Sequence, residues 1–111
     1  MKLPADSFID PRKITHYLLK PQAKSDKSRF LFLAGYDLGS AAQLLHDLRT
    51  QVLPLDAVQL QTTQHGVFFE ISAFLRGPNH RSLPVRTIWI KEHLSGLTKF
   101  VTLVPQKETL P

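Results

Sequence analysis

The hydrophobic period changes once along this chain, near Asp56, and that change restricts the fold more than any other feature. Before it, apolar residues recur three and four apart, the spacing of one helix face. After it they alternate in twos, the spacing of a half-buried strand. Helices that come first and strands that follow exclude the alternating βαβ pattern of a parallel sheet. The order predicts an α+β fold, with N-terminal helices packed on a four-stranded antiparallel meander. In 111 residues this is a single domain. Residues 1–9 read as an arm, 10–53 as the helical part, 56–104 as the sheet and 105–111 as a loose tail.

In the front half, Asp10-Pro11 marks a helix start, Asp as N-cap and Pro at the first helical position. Ile14, Tyr17 and Leu18 follow at helical spacing, and Pro21 ends the run near Lys20. Residues 21–26 read as a loop. The apolar run Phe30 to Ala34 fits a buried strand or a short buried helix. A cap from Ser25 or Asp26 and a C-terminal Gly35 favour the helix. Ser40 is placed to cap a third helix, whose apolar stripe is Ala41, Leu44, Leu45, Leu48 and Val52. Gln43, Asp47, Arg49 and Thr50 fall on its wet side.

Four strands follow, over 57–64, 67–75, 83–91 and 98–104. The turns His65-Gly66, Gly77-Pro78-Asn79 and Ser95-Gly96 separate them. Strict alternation puts Thr87 and Trp89 on one face of the third strand. It puts Thr98, Phe100 and Thr102 on one face of the fourth.

Composition bears on function mainly by exclusion. The chain has no cysteine, which removes disulfides, zinc–thiolate centres and cysteine nucleophiles. His16, His46, His65, His80 and His93 are not spaced with carboxylates as metal ligands, so no metal and no cofactor is expected. No paired carboxylates and no glycine-rich phosphate loop stand out. The longest apolar run is too short to span a membrane, and the first residues lack the apolar segment of a signal peptide. A cytoplasmic protein is therefore expected.

The net charge is +5, and four of the five excess charges lie in the first 30 residues. Lys24, Lys27 and Arg29 cluster there, and a basic edge of this kind attracts RNA or an acidic protein partner. His16 lies on the same basic front and is a candidate general base. If the last two strands pair, Thr87 and Thr102 present hydroxyls side by side. With Lys24, Lys27 and Arg29 as cations and Trp89 as a stacking surface, they outline a site for a phosphodiester. The plainer reading is that Thr and Trp are good strand residues and the cations a solvated face.

The order of short motifs resembles a family of small bacterial domains of cyanobacterial type. These motifs are Tyr17-Leu18-Leu19, then Lys27-Ser28-Arg29-Phe30-Leu31 leading to Gly35-Tyr36, and a Leu-rich helix from Leu44 to Leu48. Gly77-Pro78-Asn79, Thr87-Ile88-Trp89 and Phe100-Val101-Thr102-Leu103-Val104-Pro105 complete the set. That family is similar in turn to toxin-type endoribonucleases of the barnase, EndoU, colicin and RelE-like fold. The resemblance implies a metal-independent ribonuclease of toxin–antitoxin type. In it Thr102 would match a closing-strand threonine near the active site, and Lys27 and Arg29 the basic segment. Leu103-Val104 departs from the more usual Ala-Tyr of such strands. Three readings stay open: an RNA-directed nuclease with an acidic antitoxin partner, a non-catalytic interaction or immunity-type module, and a homodimeric protein.

Overall fold

The computed structural model describes residues 1–22 and 27–106. Residues 23–26 of the loop expected at 21–26, with the caps assigned to Ser25 and Asp26, and most of the tail expected at 105–111 lie outside the described residues. Helix α1 (Pro11–Lys13) opens on Asp10, whose carboxylate accepts the Arg12 N–H. It widens at once into a π-helical turn over Ile14–Leu18, closed by the Leu19 N–H on the Ile14 carbonyl at 2.9 Å. Single π turns of this kind collect at functional sites.

Helix α2 (Ser28–Phe32) bears out the helical choice for the ambiguous segment. Gly35 ends it at φ +94, with its N–H on the Phe32 carbonyl and the Tyr36 N–H on the Leu31 carbonyl. The run is not wholly buried, however. Leu31 and Ala34 enter the core, while Phe32 and Leu33 stand out in solvent, because one helical turn can bury only one side.

A 3₁₀ turn (Leu38–Ser40) leads into α3 (Ala41–Asp47), which widens over Leu48–Val52. Ser40 does not cap α3. Its hydroxyl accepts the Asp37 N–H at 2.8 Å, in a capping box that starts the 3₁₀ turn at Asp37. Asp47 is not on the wet side either. It is buried, where it accepts the Tyr36 hydroxyl at 2.5 Å and the Gln43 amide at 2.8 Å. The Tyr36 hydroxyl also lies 3.2 Å from the Arg76 carbonyl. Burial and the Asp47 carboxylate push the Tyr36 pKa far up, since both oppose a phenolate.

Strands β1 (Val58–Thr62), β2 (Gly66–Arg76), β3 (Ser82–Glu92) and β4 (Thr98–Pro105) pair antiparallel in the order β1-β2-β3-β4. This is the expected α+β meander. The helices cover one face, where Ile71, Leu75, Val85, Trp89, Phe100 and Leu103 meet Ile14, Leu18, Leu31, Leu44 and Leu48. Trp89 and Phe100 stack edge to face at 5.2 Å.

Strand β4 breaks the simple alternation. Thr87 pairs with Leu103 and Ile88 with Thr102, but Trp89 pairs with Phe100, so Val101 is an extra residue in the ladder. Phe100 and Leu103 therefore both point into the core, three residues apart, and Thr102 turns out of it. The edge of β4 is covered in two pieces. Phe8 bonds both ways to it, its N–H to Thr98 and its carbonyl to the Phe100 N–H. At the bulge itself, Lys13 donates to the Val101 carbonyl at 3.0 Å.

Candidate functional site

The bulge and the π turn face each other, and a cleft of about 640 Å³ opens between them. Asp10, Arg12, Lys13, His16 and Tyr17 line one wall; Val101 and Thr102 line the other. Lys13 and Tyr17 are four apart on the front helix and so share its face toward β4. Lys27, just ahead of α2, reaches into the same place.

Its ammonium donates to the Tyr17 phenol oxygen at 2.6 Å and to the Thr102 hydroxyl oxygen at 2.9 Å. It also sits 4.7 Å from the centre of the Tyr17 ring. The Thr102 hydroxyl lies 3.4 Å from the same phenol oxygen. Tyr17 thus receives a cationic donor, and its pKa is lowered, chiefly by the Lys27 hydrogen bond and then by Thr102.

The cations are not equal. Arg12 is held by Asp10 at 2.9 Å, which lowers the pKa of that carboxyl, so the pair is nearly neutral. Among the described residues, Lys13 and Lys27 bond only uncharged oxygens. Their two positive charges are left for an anion. His16 is exposed on the rim; its Nδ1 is 2.8 Å from the Thr15 hydroxyl, which leaves Nε2 for a ligand. No group of three or more His, Asp or Glu among the described residues is placed to hold a metal ion.

Over residues 3–107 the chain matches the family model described as Domain of unknown function (DUF6883). It belongs to the DUF6883 family. No curated protein matches it, and no solved structure does. Among the described residues no helix of this family member is long and apolar enough to cross a membrane.

The site expected from the sequence is only partly assembled. Lys27 and Thr102 meet, and His16 joins them at the cleft. Thr87 does not. The bulge pairs it with Leu103, and it is fully buried, donating to the Ile71 carbonyl at 3.0 Å and accepting from the Trp89 indole at 2.8 Å. Trp89 is fully buried beside it and has no face for a base to stack on. Arg29, two residues on from Lys27, lines an adjacent groove instead of the cleft. Lys24 lies outside the described residues. Two residues were missed, Lys13 and Tyr17. Their signal was the Lys-x-x-x-Tyr spacing on a short helix in the basic front.

Proposed function

We propose that the cleft binds RNA and cleaves it without a metal ion, as an endoribonuclease-like domain. One observation carries this reading: Lys27, Tyr17 and Thr102 converge within hydrogen-bonding distance in a cleft with surplus positive charge. The likeness of the motif order to a family of small bacterial domains, itself similar to toxin-type endoribonucleases, supports it. Lys27 and Lys13 hold the non-bridging phosphate oxygens as charge builds on them, and the Thr102 hydroxyl donates a further hydrogen bond. Tyr17, as the phenolate that the Lys27 ammonium favours, takes the proton of the ribose 2′-hydroxyl and becomes the neutral phenol. The freed oxygen bonds to phosphorus as the bond to the 5′-oxygen breaks. His16 Nε2 gives the leaving oxygen its proton. The products are a 2′,3′-cyclic phosphate and a 5′-hydroxyl.

The surplus of positive charge suits an acidic protein partner that shuts the cleft, as in a toxin–antitoxin pair. A cytoplasmic location fits an RNA substrate. To test the reading, RNA binding and cleavage in EDTA are compared for wild type, Lys27→Ala and Thr102→Val. Both variants should lose cleavage with the circular dichroism unchanged, and Lys27→Ala should also flatten the salt dependence of binding. Full activity in both variants would remove the cleft from the reaction.

A second reading, an interaction module or homodimer, is favoured by the uncovered sheet face. There Phe74 is 71% and Val58 62% exposed. A molar mass that rises with concentration and falls to monomer in Phe74→Ser would support it.

A further inference from the structure

A second concavity of about 560 Å³ adjoins the cleft, within the ~300–1,000 Å³ of ordinary small-ligand sites. Leu19, Pro21, Phe32 and Leu38 wall it, and Asp37 stands at its rim. Phe32 is 64% exposed and Leu38 53%, so apolar surface is left open to water beside a polar site. Two stretches of chain join groove and cleft. Tyr17 lines the cleft and Leu19 the groove; Lys27 reaches the Tyr17 and Thr102 oxygens, and Ser28, next in sequence, lines the groove. A nucleotide chain held by its phosphate at Lys27 would bring a flanking base to this groove.

We propose that the groove is a nucleobase subsite, with Phe32 as the stacking surface for a base next to the phosphate in the cleft. Phe32 supplies the π-face that buried Trp89 cannot. The Asp37 carboxylate, whose Oδ1 accepts the Ser40 hydroxyl, lines the groove and can accept an N–H from the edge of the base. This assignment rests on the RNA reading of the cleft, but its test is independent of catalysis.

The protein's amide resonances are followed by NMR during titration with adenosine and, separately, with inorganic phosphate. Adenosine should shift the amides of Phe32, Leu38 and Gly39, and phosphate those around Tyr17, Lys27 and Thr102. Phe32→Ala should weaken adenosine binding about 5- to 150-fold and leave phosphate binding intact, while Phe32→Tyr keeps both. Phe32 is exposed, so neither variant threatens the core. Adenosine that leaves the groove amides unmoved, or that binds Phe32→Ala as well as wild type, overturns the proposal. Groove amides that shift with protein concentration alone would assign the groove to a second copy and also overturn it. A protein that binds adenosine in the groove yet cleaves nothing would retain the subsite and lose only the nuclease reading.

Discussion

The two tyrosines of this chain should titrate far apart, and Lys27 should control one of them. Tyr17 receives the Lys27 ammonium at 2.6 Å, which stabilises its phenolate. Tyr36 is buried against the Asp47 carboxylate, which opposes ionisation. Tyrosinate absorbance followed against pH should therefore rise in two equal halves. The first, from Tyr17, comes below the ordinary tyrosine value of about 10. The second comes only above it, once alkali opens the fold. In Lys27→Met the first half should move up toward 10 while the second stays. In denaturant both should titrate together. Stability follows with opposite signs. Through Tyr17, whose folded pKa is lowered, stability rises with pH between its folded value and about 10. Through Tyr36, whose folded pKa is raised, stability is full below about 10 and falls above it, because only the unfolded chain then loses that proton. One step of full amplitude in the folded protein, or a first step indifferent to Lys27→Met, would refute the arrangement of ammonium and phenol.

Other outcomes follow from the same contacts. Tyr36→Phe removes a donor from a buried carboxylate, which costs about 2 kcal/mol. At ~2.1 cal/mol/K per residue this lowers Tm by about 9 °C, and it should flatten the alkaline fall in stability; an unchanged Tm would show that Asp47 does not depend on the phenol. Thr87→Val leaves the Ile71 carbonyl and the Trp89 indole without their partner. Chemical denaturation should show a loss of ~2–3 kcal/mol with RNA cleavage at wild-type level under folding conditions. A cleavage defect at full stability would return Thr87 to the site. Thr102→Val should do the reverse, since Thr102 is half-buried at the bulge and its hydroxyl serves the cleft.

The helices, the four strands and their order were legible because each follows from a local period and its punctuation. Asp10-Pro11 and Gly35 act within one turn of chain, and the hairpin turns within a few residues. The errors share a different cause. Strict alternation places Thr87 beside Thr102, but one extra residue at Val101 moves Thr102 away. Phe100 and Leu103, both large and apolar at odd spacing, conflict with alternation and were the available warning. Asp47 looked solvated because its partner, Tyr36, comes from another segment. Charge and strand position place Lys27 with Thr102 in one site, and the two do meet, at 2.9 Å across 75 residues of chain. Helical spacing accounts for Tyr17 only as helix-face packing, and the approach of Lys27 makes its oxygen chemical.

The central claim is that the cleft drives a ribose 2′-oxygen onto phosphorus, and a chimeric oligonucleotide tests it most directly. The protein is incubated in EDTA with a single-stranded RNA, and with the same strand carrying a 2′-deoxy sugar at each linkage cleaved in the first. The account predicts 2′,3′-cyclic phosphate ends from the RNA, none at the deoxy positions, and none from Lys27→Ala. Cleavage that continues at the deoxy linkages, or folded protein that leaves RNA intact at high concentration, would contradict it.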